Sequence, residues 1–79
     1  MKTYHDRVTI NPDVMLGKPV IKGTRVPVEL IVRKLGEGAS VEDLLEAYPN
    51  LKKEDILAAL LYAAEYMRNE TFIYLKTGS

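Results

Sequence analysis

Hydrophobic and polar positions alternate in a way that sorts the chain into short strands followed by helices. Arg7-Val8-Thr9-Ile10 alternates polar and apolar, which predicts a short strand, and Asn11-Pro12-Asp13 ends it with turn residues. Val20-Ile21 and Val26 flank Lys22-Gly23-Thr24-Arg25. Glycine at the first central position of a two-residue turn favours type II′, so a β-hairpin with Lys22 and Arg25 at its tip is expected. Pro27 suits the first helical position, Glu29 the first turn, and Arg33 and Lys34 the last, with Leu30, Ile31 and Leu35 as the apolar stripe. Gly36 and Gly38 supply the stop, giving a helix over about 27–36.

Ser40 reads as the next N-cap, with Asp43 as its capping-box partner. A helix is expected over about 41–48, with Val41, Leu44, Leu45 and Tyr48 on one face and Glu42, Asp43 and Glu46 toward water. Pro49 forces Tyr48 out of the helical region. A third helix is expected over about 52–69. Its stretch Ile56–Ala64 is apolar on every side, which predicts burial on every side. Two short helices and a hairpin are too small to cover it, so association with a second copy, as a homodimer, or with a partner is expected. The tail, 70–79, holds the β-prone run Thr71-Phe72-Ile73-Tyr74-Leu75, read as an extra strand or a free segment.

Seventy-nine residues make one small domain, here taken as 1–79. The chain lacks cysteine and has one histidine, His5, which excludes disulfides, thiolate zinc sites and His-rich metal cages, so no metal or other cofactor is expected. The longest apolar run is far short of the ~20 residues a membrane span needs. The first residues show no secretory signal, and a cytoplasmic location is expected. The formal net charge of zero hides a split. Residues 1–35 sum to +4 and residues 36–79 to −4, as expected for two faces with different partners.

Candidate chemistry is sparse. His5 and Asp6 are adjacent and point apart in an extended chain, while Ser40 and Thr24 lack a base in any recognisable motif. No enzymatic activity is therefore expected. Two helices joined by a turn of about three residues read as a helix-turn-helix. A reader helix needs Arg, Lys, Asn or Gln in its N-terminal half. Here Lys52 and Lys53 are followed by Glu54 and Asp55 and then by apolar residues, which makes the third helix a poor reader of bases. The candidate nucleic-acid contacts are Lys18, Lys22, Arg25, Arg33 and Lys34, together with Lys52 and Lys53. Tyr48, Tyr62 and Tyr66 are spaced either as a stacking set or as core and interface. The candidate partner or dimer surface is Leu57, Leu61 and Tyr62 with Phe72, Ile73, Tyr74 and Leu75.

Gly17-Lys18-Pro19, the run Ile21-Lys22-Gly23-Thr24-Arg25-Val26-Pro27-Val28, and Gly38 carry a resemblance. So do Tyr48-Pro49-Asn50-Leu51, Glu54-Asp55-Ile56 and Ala58-Ala59-Leu60. Over about residues 8–66 the chain resembles the uncharacterised-domain family 433. The resemblance implies a mainly α, homeodomain-like trihelical helix-turn-helix core with a short N-terminal β-hairpin. It further implies a VapB-type antitoxin of a prokaryotic toxin–antitoxin pair, with a PIN-like ribonuclease toxin as partner, DNA binding for autoregulation, and no catalytic residue. A hydroxyl residue is common in that family where Lys52 stands, so Asn50 is expected to cap the third helix instead. The competing reading is a protein–protein interaction module without DNA binding.

Overall fold

The computed structural model describes the backbone of residues 6–78 and the side chains of residues 6–68. The order is β1 (Val8–Ile10), a short 3-10 turn (Met15–Gly17), β2 (Pro19–Ile21), α1 (Val28–Gly36), α2 (Val41–Ala47) and α3 (Lys53–Gly78). Among the described residues the protein is thus mainly α, with these three helices and a small two-stranded antiparallel sheet, as the pattern predicted.

The sheet pairs Val8 with Ile21, Thr9 with Val20 and Ile10 with Pro19. On its other side β2 bridges Val20 to Pro27, and the Ile21 N–H donates to the Val26 carbonyl. The hairpin turn differs from the type II′ expectation. The Thr24 N–H donates to the Ile21 carbonyl at 3.0 Å, which puts Gly23 at the second central position, with φ +81°. Only glycine holds that conformation cheaply, so Gly23 serves the turn from the later position. The Thr24 hydroxyl locks it, donating to the Ile21 carbonyl at 2.8 Å and accepting from the Val26 N–H at 3.0 Å.

Pro27 is the residue before α1 rather than its first member. Its ψ of 147° is extended because it still belongs to the bridge with Val20. Its carbonyl accepts the first helical N–H groups, from Leu30 and Ile31. At the far end the Gly38 and Ala39 N–H groups return to the Leu35 and Lys34 carbonyls, with Gly38 at φ +108°. This is the helix-closing motif that the paired glycines announced.

The α2 capping box forms as expected: the Asp43 N–H donates to Ser40 Oγ at 3.0 Å and the Ser40 N–H to Asp43 Oδ2 at 2.9 Å. The core gathers Ile21, Val28, Ile31, Leu44, Leu51, Ile56 and Ala59, with Val41, Leu45 and Tyr48 packed against it. Thus each helix and β2 contribute to one apolar centre.

Three sequence expectations for α3 are corrected. The helix does not stop near Asn69. Its backbone continues through Thr71–Leu75 to Gly78, so that run is neither strand nor free tail. No glycine or proline lies between Lys52 and Thr77, and extending an anchored helix costs little. The N-terminus is not met by Asn50, which lies in the turn before it. Lys52 occupies the capping position, and its N–H donates to Asp55 Oδ2 at 2.9 Å. Asp55 is held in turn by Arg7, whose Nη1 donates to Asp55 Oδ1 at 2.9 Å. Finally, Ile56–Ala64 is not buried all round. Ile56, Ala58 and Ala59 are fully buried, whereas Leu57, Leu60 and Leu61 are 48%, 39% and 46% exposed. At 100° per residue the last three lie on the side of α3 opposite the core.

Candidate functional site

Two surfaces gather the candidate residues, one basic and one apolar. All seven candidate basic side chains are exposed. They come from four places: Lys18 from the segment entering β2, Lys22 and Arg25 from the turn, Arg33 and Lys34 from the end of α1, and Lys52 and Lys53 from the start of α3. Folding brings Lys18 and Arg33 together around one acid. Lys18 Nζ is 3.6 Å and Arg33 Nη2 is 2.6 Å from the two carboxylate oxygens of Glu29. All three are more than half exposed, so these pairs add little stability. Their effect is electrostatic: one negative charge offsets part of the cationic field on this side.

Arg25 sits differently. It lines a hollow of mixed character with Thr9, Asn11, Val14, Val20, Thr24 and Asn50. The tip of the turn therefore stands beside the α2–α3 connection that leads into Lys52 and Lys53. Arg25 is thereby brought near the segment that precedes Lys52 and Lys53. At the start of α3, however, Glu54 is exposed between them and the rest of the helix, and Asp55 is turned inward to Arg7.

The apolar surface has two parts. The outward stripe of α3 carries Leu57, Leu60, Leu61 and Ala64, all exposed. Next to it, α1 and α3 diverge to leave a groove of about 480 Å³. Val28, Val32, Tyr62, Tyr66 and Met67 line it, with Glu29 and Arg33 at its rim. Of the residues assigned to a partner surface, Leu57 and Leu61 are on the stripe. Tyr62 is half-buried, packing against the core and lining the groove. The side chains of Phe72, Ile73, Tyr74 and Leu75 lie outside the described residues. Of the tyrosines, Tyr48 packs on the core, while Tyr66 faces the groove and is exposed.

Sequence reasoning passed over three features. Leu60 and Met67 extend the exposed apolar set, and their three-residue and seven-residue spacing from Leu57 and Leu60 was the available signal. The Arg7–Asp55 pair links positions 48 apart and left no local trace. Met15, Leu16 and Gly17 form a run of three residues at positive φ (51°, 58° and 82°), with Leu16 93% exposed at its tip.

No helix among the described residues is long and apolar enough to cross a membrane. The chain is similar to several proteins. A crystal structure of a DUF433 member from Anabaena variabilis superposes with a TM-score of 0.71 at 34% identity, covering 92% of this chain and 69% of that one. The uncharacterized protein y4eO of Sinorhizobium fredii is 48% identical over 56 residues, which are 71% of this chain and 25% of that protein. The chain thus spans about a quarter of that relative's length. An uncharacterized protein of Archaeoglobus fulgidus is 57% identical over 28 residues, 35% of this chain and 78% of that one. The model of the family described as "Protein of unknown function (DUF433)" matches residues 8–63, from β1 through the first half of α3, and the chain belongs to that family.

Proposed function

We propose that the chain is an antitoxin-like binding protein of a prokaryotic toxin–antitoxin pair, acting in the cytoplasm. It works as a homodimer, holds a PIN-like ribonuclease toxin, and touches DNA as an autoregulator. The observation that carries this reading is the apolar surface left on α3. Three leucines opposite the core, beside an apolar groove, form a contiguous patch of the kind that marks an interface rather than a monomer's scattered surface. The antitoxin identity itself rests on the family resemblance.

In this reading DNA contact is electrostatic and runs through the turn and α1. Lys22 and Arg25 are the main carriers, because Glu29 already engages Lys18 and Arg33. The same Glu29 pairing favours the second reading, a protein–protein interaction module without DNA binding. Titrating duplex DNA at several salt concentrations separates the two. Binding whose salt slope shrinks by up to about 2 in Lys22→Ala/Arg25→Ala supports the autoregulator. Absence of binding at low salt leaves the interaction module. Co-expression with a small ribonuclease encoded beside the gene tests the toxin: co-purification and restored growth support it. Toxicity unchanged by the chain refutes it.

A further inference from the structure

The outward face of α3 has a definite self-complementary pattern.

Leu57, Leu60, Ala64 and Met67 follow one another at steps of three, four and three residues, the spacing of a coiled-coil seam. All four are exposed. Leu61 flanks the seam, with Glu54 one heptad before it and Arg68 one heptad after it.

We propose that this face pairs with the same face of a second copy, with the two α3 helices antiparallel about a two-fold axis beside Leu61. This rests on reading the α3 stripe as an interaction surface, and it names the occupant. In antiparallel register Leu57 of one copy meets Met67 of the other, and Leu60 meets Ala64. Leu61 meets its own counterpart, and Glu54 faces Arg68 at both ends. A parallel pair instead stacks only the seam residues on themselves, sets Glu54, Leu61 and Arg68 of the two copies on opposite flanks, and brings neither acid to base. Within one chain Glu54 and Arg68 are about 21 Å apart along the helix, so their attraction is available only between copies. Antiparallel pairing also aligns opposite helix dipoles. The arrangement takes up Met67, which borders the α1–α3 groove, and leaves Tyr62 and Tyr66 there for a different partner.

Sedimentation equilibrium and single-cysteine cross-linking test the proposal, and the cysteine-free sequence makes the second clean. The expected result is a dimer of twice 8.9 kDa, disrupted by Leu61→Glu with the helical circular dichroism retained. Glu54→Arg and Arg68→Glu should each weaken association by about tenfold, and the double variant should restore it. Leu61→Cys should form a disulfide-linked dimer on oxidation, whereas Leu57→Cys should not, its two copies being about 15 Å apart along the axis. A monomeric wild type at tens of micromolar overturns the proposal. So does a dimer indifferent to Leu61→Glu, or one in which Leu57→Cys cross-links as readily as Leu61→Cys. If a monomer still captures a toxin, the interaction surface stands and the occupant named here is wrong. A dimer that captures none leaves the pairing intact and refutes the antitoxin reading.

Discussion

Asp55→Ala should be the most damaging single change to a charged residue in this fold. The Asp55 carboxylate is almost wholly buried and satisfies two donors at once: the Lys52 backbone N–H that starts α3 and the Arg7 guanidinium beside β1. Losing the cap costs about 1 kcal/mol. A charge-assisted hydrogen bond is worth about 1.5–3 kcal/mol. Arg7 is 35% exposed and finds water when released, so its share falls to about 1 kcal/mol. The expected loss is about 2 kcal/mol, or a fall of about 8–16 °C in Tm for a domain of this size. Asp55→Asn keeps the shape and one acceptor, and should cost about half as much. Thermal and urea unfolding followed at 222 nm measure these values, at one fixed protein concentration because association shifts Tm. Arg7→Ala completes a double-mutant cycle, with an expected coupling of about 1 kcal/mol. A loss below about 0.5 kcal/mol for Asp55→Ala, or additive effects in the cycle, refutes the view that this carboxylate ties β1 to α3.

Leu16 adopts φ 58° with its side chain almost fully in solvent, so Leu16→Asn relieves strain without losing packing and should raise stability by about 0.5–1 kcal/mol in urea unfolding. Ser40→Ala should cost about 1 kcal/mol, and Asp43→Ala in the same background should add less than it costs alone, since each half of the box fixes the other.

What was legible in the sequence was local. Ser40 and Asp43 lie one helical turn apart, and the Tyr48-Pro49 boundary needs only two neighbouring residues. The stop at Gly38 likewise follows from backbone sterics within one turn. The turn type at Gly23 escaped because glycine serves either central position, and the choice is made by β2 bonding to Val26 and Pro27 on its far side. The Asp55 cap escaped because the residue at the capping position is a lysine, whose side chain cannot accept. The extent of burial along Ile56–Ala64 escaped for a different reason. Leucine and alanine occupy both sides of α3, so the pattern carries no phase, and only the position of α1, β1 and α2 decides which side becomes core. For the candidate site, the seven basic positions were visible as charges. Their partial neutralisation by Glu29, which stands eleven residues from Lys18, required the fold.

The junction at Val26, Pro27 and Val28 has no spare residue: one peptide carries a strand bond, the next caps α1, and the next is already helical. Sheet and helix are therefore one rigid lever, and the direction of α1 is inherited from the twist of β2. Length changes in related chains should then be unevenly tolerated. An extra residue at the exposed turn between α1 and α2, near Glu37 and Gly38, lengthens a connection. One inserted after Val26 would rotate the whole of α1 by about 100° and turn Ile31 out of the core.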